Sequence, residues 1–128
     1  MVDGAKGWKI MFRFESLDIW KLATQYAKSC YTIAGTFPNH EKFSLADQLR
    51  RAAISISNNI AEGSVDSPAV FKKYLSIAIG STLETVNILN FSCEIGYISL
   101  EEKQEMYRKA EELIPKIRAF SRMLHAKP

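Results

Sequence analysis

Metal, acid–base and thiol chemistry need histidine, cysteine and carboxylate side chains within reach of one another. This chain offers two histidines and two cysteines. A di-iron or di-manganese site in a helical bundle takes inward carboxylates and Glu-x-x-His pairs, yet neither His40 nor His125 follows a glutamate by three residues. His40 sits in the segment Pro38-Asn39-His40 and His125 near the C-terminus, positions that predict solvent exposure. Cys30 and Cys93 match no zinc spacing and read as buried free thiols, with a disulfide the less favoured pairing. No Gly-x-Gly-x-x-Gly or phosphate-loop pattern is present, nor a local nucleophile signature. A triad built from distant residues leaves no such signature. The expectation is a protein without enzyme activity, metal or cofactor.

Polar groups at helical spacing remain. Arg51, Ser55, Asn58 and Glu62 form one stripe, beside Arg50 and Asn59, and Ser76, Gly80 and Glu84 form another. The expected arrangement is a structural polar cluster of Arg50, Arg51, Asn58, Asn59, Glu62 and Glu84. In it Arg50 or Arg51 pairs with Glu84, and Asn58 or Asn59 bonds backbone between helices. Gly80 and Ser76 leave room for a helix to approach. A competing reading makes Arg50, Arg51 and Asn58 a ligand or RNA contact.

Four helices must position these groups. The first begins after Ser16, taken as its N-cap, carries Leu17, Trp20, Ala23, Ala27, Tyr31 and Ala34 at three- and four-residue steps, and stops at Gly35 and Pro38. The second begins at Ser44, with Asp47 three residues on in a capping-box-like start. It buries Leu45, Leu49, Ala52, Ala53, Ile56 and Ile60, and ends at Gly63. The third opens on Ser67-Pro68 and closes at Gly96. Its apolar residues, Leu83 among them, cover more than half its circumference, which predicts cover on several sides. The fourth opens on a full capping box, Ser99 with Glu102, and runs to about Leu124, with Pro115 expected to kink it or loosen a turn. Short connections favour an all-α, antiparallel up-down-up-down four-helix bundle over residues 14-128, with residues 1-13 as an N-terminal arm.

The 128 residues make one domain, with 47% hydrophobic and 24% charged residues and a net charge of only +3. The topology gathers Lys9, Arg13, Lys72, Lys73, Lys116, Arg118, Arg122 and Lys127 at one end. Glu41, Glu94, Glu101, Glu102 and Glu105 collect at the other. Acids suit helix starts and bases suit helix ends, which accounts for part of this polarity. A phosphate-binding face at the basic end is the functional reading. The first ten residues lack the apolar core of a signal peptide, and no apolar run reaches the roughly 18 residues of a membrane span. The expectation is a soluble cytoplasmic protein.

The segments Phe14-Glu-Ser-Leu-Asp-Ile-Trp20, Phe43-Ser-Leu-Ala-Asp-Gln48-Leu-Arg-Arg-Ala-Ala and Ser55-Ile-Ser-Asn-Asn-Ile-Ala-Glu-Gly63 carry a resemblance, with Phe37-Pro38, Phe71 to Leu75, Ile77-Ala-Ile-Gly-Ser81, Glu84 and Gly96-Tyr-Ile98. Together they resemble the four-helix-bundle proteins encoded by intervening sequences of bacterial 23S rRNA genes, the S23 ribosomal protein-like family. That family is similar to the accessory protein of diversity-generating retroelements, which forms a pentameric ring and binds nucleic acid and a reverse transcriptase. The resemblance therefore implies a homopentamer. Many relatives carry arginine in the loop after Asn-Ile-Ala-Glu-Gly. Here that loop reads Ser64-Val-Asp-Ser67 and supplies no base.

Three functional expectations follow. The first is an RNA- or nucleoprotein-associated oligomer touching phosphate through Lys9, Arg13, Lys72, Lys73, Arg118 and Arg122, with salt-sensitive binding. The second is a protein-interaction scaffold without nucleic acid. The third is a small-molecule pocket lined by Trp20, Tyr26, Tyr31 and Tyr74, though aromatics at this spacing more often fill a core.

Overall fold

The computed structural model describes residues 2–3, 8–9 and 12–125, the first two pairs as backbone only. Four antiparallel helices run up-down-up-down: α1 (Asp18–Ala34), α2 (Leu45–Gly63), α3 (Pro68–Glu94) and α4 (Leu100–Arg122). Each packs on its sequence neighbour and α4 closes against α1. The seam between α2 and α3 is the most extensive and that between α1 and α4 the least. Ahead of the bundle, β1 (Val2–Asp3) and β2 (Trp8–Lys9) form a minimal antiparallel ladder, Val2 opposite Lys9 and Asp3 opposite Trp8.

The core is one cluster drawn from all four helices. Leu49, Ile56, Ile60, Leu75, Leu89, Leu113 and Ile117 are almost wholly covered, each contributing about 1.5–3 kcal/mol. Three hydroxyl residues share this interior on α3: Thr82, Thr85 and Ser92 are fully buried. Their hydroxyls donate to the carbonyls of Ala78 (2.9 Å), Thr82 (2.6 Å) and Ile88 (2.7 Å). Tyr26 Oη lies 2.7 Å from Thr85 Oγ1. With the Thr85 proton on its own helix, the tyrosine is the donor. Small hydroxyls that bond their own backbone enter a core at little cost and leave room for the large ring.

The helix ends divide into those that follow local rules and those that do not. Ser67 Oγ accepts from Val70 N–H at 3.3 Å with Pro68 in the first turn. Ser99 and Glu102 complete their reciprocal capping box at 3.0 and 2.9 Å. Ser16 is not a cap. It lies in a 3-10 turn, Arg13–Ser16, and its hydroxyl donates to Arg13 O at 2.9 Å. The edge of Phe14 on Trp20, with centroids 5.0 Å apart, sets the entry into α1 instead. Ser44 holds the N-cap position of α2 without a side-chain bond. Glu41 Oε1 accepts from Leu45 N–H at 3.3 Å in its place.

Gly63 ends α2 in ordinary helical geometry, followed by Ser64 at φ −63°. Its role is steric. A Cβ there would lie 2.7 Å from Phe71 Cδ1 and 2.8 Å from Tyr74 Cβ. Gly96 is the one described glycine at positive φ, +83°, where α3 turns toward α4. Pro115 lies exposed within an α4 that continues past it. Lacking an N–H, it forfeits the bond to the carbonyl of exposed Glu111 four residues earlier, and the helix continues to Arg122.

The outer face of α3 is bare. Ile77, Leu83 and Phe91 are about half exposed (52%, 51% and 52%), with Ile95 beyond them. Among the described residues the cover expected on several sides is not supplied, and Leu83 points outward where Thr82 and Thr85 take the core positions.

Candidate nucleic-acid interface

Lys72 and Ser76 stand one turn apart on α3, and Arg118 and Arg122 one turn apart on α4, with Ser121 between them. Where α3 starts and α4 ends, these side chains border a groove of about 310 Å³ with half-buried Ile79 at its base, over the fully buried Leu75. Among the described residues the ion pairs join Arg51 to Asp47, Arg108 to Glu105, Lys116 to Glu112 and His40 to Glu41. None involves Lys72, Arg118 or Arg122. The fold thus brings three cations around one recess with no carboxylate against them.

The other basic residues predicted for this end have different fates. Arg13 donates from Nη1 to Ser64 O at 3.1 Å and lies over the Phe71 ring, 5.5 Å from its centroid. It straps the incoming chain onto the α2–α3 turn. Lys116 is held by Glu112 at 3.2 Å. Lys73 is exposed and lies outside the groove lining. The side chain of Lys9 and all of Lys127 lie outside the described residues.

The expected polar cluster does not assemble. Arg51 pairs with Asp47 one turn back at 2.8 Å, and Arg50 lies over the Tyr31 ring at 5.9 Å. Asn59 bonds within α2, donating to Ser55 O and Ser55 Oγ at 2.7 and 3.0 Å. Asn58, Glu62 and Glu84 are exposed. A local partner four residues away costs less ordering than one across a helix pair, so Asp47 wins the arginine. The polar bond that does link α2 to α3 is small: Ser55 Oγ to Ser81 Oγ, 2.9 Å. Nothing lies within 4 Å of a Cβ built on Gly80, so no helix of this chain uses that approach.

At the opposite end the charges engage one another. Tyr97 O–H donates to Glu41 Oε2 at 2.7 Å, and His40 Nε2 lies 3.3 Å from Tyr97 Oη. The tyrosine hydrogen bond, with the Leu45 N–H, holds the Glu41 carboxyl below the usual carboxylate range. The same bond raises the Tyr97 phenol. This clasp ties the α1–α2 loop to the α3–α4 loop.

Cys30 is buried and its thiol is pushed up to about 12 by that burial, so it is protonated and unreactive at neutral pH. Cys93 is only half-buried, and both cysteines are free. Tyr26 and Tyr31 border different grooves. Among the described residues, no cluster of three or more histidine, cysteine or carboxylate side chains could hold a metal, and no helix is long and apolar enough to cross a membrane.

Fold and groove together describe an antiparallel four-helix bundle with an unneutralised basic recess at one end. The chain belongs to the family described as 23S rRNA-intervening sequence protein, which matches residues 15–119. A crystal structure of a protein with unknown function from the S23 ribosomal protein family of Bacteroides thetaiotaomicron VPI-5482 is similar in fold. Its TM-score is 0.75 at 22% identity, covering 82% of this chain and 99% of that one. No curated protein matches the chain.

Proposed function

We propose that this chain is a non-enzymatic, oligomeric cytoplasmic bundle that holds RNA, or an RNA-bearing partner, against its basic end. The observation that carries this reading is the convergence of Lys72, Arg118 and Arg122 on one recess without a carboxylate partner among the described residues. Grouped cations left unneutralised attract a polyanion and release its counterions. The family's description, which ties it to intervening sequences of 23S rRNA, supports the same reading.

Self-association draws its support from α3. Ile77, Phe91 and Ile95 recur along one exposed side of that helix, with Leu83 beside them. Exposed apolar side chains recurring on one side of a helix suit an interface, with exposed Glu84 standing between Ile77 and Phe91. Five subunits are what the family resemblance read from the sequence implies. The same face also favours a second reading, a protein-interaction scaffold that binds no nucleic acid.

Solution mass by light scattering, with and without total RNA at low and moderate salt, separates the two. A pentamer that gains mass with RNA only at low salt supports the first. A pentamer indifferent to RNA supports the scaffold, and a monomer indifferent to RNA removes both.

A further inference from the structure

We infer that the α3–α4 groove takes the backbone of single-stranded RNA in preference to duplex, one nucleotide seated with its phosphate on Lys72, Arg118 and Arg122 and its base or ribose on Ile79. The inference rests on the RNA-binding reading above and names the form of RNA.

The argument begins with the floor. A duplex offers a convex surface of phosphates with its bases stacked inside, and a flat field of cations is enough to hold it. This site is recessed. Its exposed cations stand on the rim, and the half-buried Ile79 forms an aliphatic floor below them, over the fully buried Leu75. A duplex backbone resting on that rim leaves the floor in water. A single strand splays its bases, so one nucleotide enters while the chain passes on at either side. Ser76 and Ser121 stand at the same wall, one on each helix, and supply hydroxyls for phosphate or ribose. No aromatic lines the recess, so the base packs on aliphatic carbon without stacking. Sequence preference is correspondingly weak.

Charge alone predicts the opposite order. Duplex has the higher charge density, so a merely basic patch binds it at least as well as a single strand. Preference for the single strand is therefore the signature of the floor.

The test is fluorescence anisotropy of the full chain with a labelled 12-nucleotide oligouridylate and with a hairpin of equal nucleotide count, at two salt concentrations. Uridine monophosphate and inorganic phosphate serve as competitors. The expected result is about fivefold tighter binding of the single strand. Arg118→Gln with Arg122→Gln weakens binding of both RNAs and lowers its salt dependence, while Ile79→Thr erases the preference but keeps the salt dependence. Photo-crosslinking of thiouridine-substituted oligonucleotide to the wild-type chain provides a readout independent of any variant, and the label falls in the tryptic segment that follows Lys73. Equal or tighter binding of the hairpin overturns the inference while leaving RNA binding intact. So does competition by the mononucleotide or phosphate at the oligonucleotide's own affinity, which identifies a small-anion site. Absence of salt-dependent binding to either RNA removes the RNA-binding reading itself.

Discussion

The two ends of the bundle use charge in opposite ways. At the end where α1 meets α2 and α3 meets α4, Glu41 accepts from Tyr97 and Leu45, and Glu102 closes the cap of α4. Those carboxylates hold loops and helix starts in place. At the other end Arg13 and Lys116 are similarly occupied, by Ser64 O and Glu112. Lys72, Arg118 and Arg122 are not, and they surround a groove. A count of bases and acids at each end cannot separate these roles. Partners separate them, because an engaged charge stabilises the fold and an unengaged one is available to an external ion.

The contrast is most directly broken at the groove. Arg118→Glu with Arg122→Glu is expected to abolish salt-dependent RNA binding and leave the melting temperature nearly unchanged, since neither arginine has a partner to lose. For the milder Arg118→Gln with Arg122→Gln pair, any residual binding should show a plot of log affinity against log salt shallower by about 1.4. A large drop in stability from the glutamate pair instead places the arginines among the structural charges.

Gly63→Ala probes the same end through packing. The new methyl meets Phe71 and Tyr74 at under 3 Å, and overpacking of this kind costs about 1–3 kcal/mol. Denaturant midpoints measure it. A neutral result means that α3 slides away from α2 at no cost.

Tyr97→Phe tests the acidic end. It removes the bond that lowers the Glu41 pKa. A carboxylate with a depressed folded pKa adds stability above its unfolded pKa, and that stability is lost as pH falls through the folded value. The variant should therefore lose a little stability near neutrality and little at strongly acid pH. Equal losses at both extremes break the assignment. Smallest of all is Glu84→Ala. With the carboxylate exposed and unpaired among the described residues, thermal melting is expected to stay within about 0.5 kcal/mol of wild type.

What was legible in the sequence were features whose causes are local. Ser67-Pro68 and Ser99 to Glu102 act within one turn, and both form. The three- and four-residue period fixed four helices and most of the core, because burial follows helix geometry directly. Contacts that depend on how one helix is rotated against another were less legible. Thr82 and Thr85 are ordinary surface residues by type, yet they occupy the interior where Leu83 was expected. The signal was present in their spacing, at Ala78, Thr82, Thr85 and Leu89, but hydrophobicity weighed against it. Arg51 found a carboxylate within its own helix, so a pairing argued across helices lost to one requiring no tertiary structure. At the basic end, sequence grouped six cations for phosphate, and the fold places Lys72, Arg118 and Arg122 around one recess. The backbone bond of Arg13 depends on the path of the chain before α1, which periodicity does not describe.

The close contact at Gly63 also bears on how the molecule assembles. The turn between α2 and α3 is short and their seam is the most extensive in the bundle. Closing a small loop is entropically inexpensive, so this hairpin is expected to form first. The seam between α1 and α4 joins the two ends of the bundle sequence and is expected to form later. Gly63→Ala is then expected to act chiefly on the folding arm of the chevron, slowing folding while leaving the unfolding rate close to that of wild type.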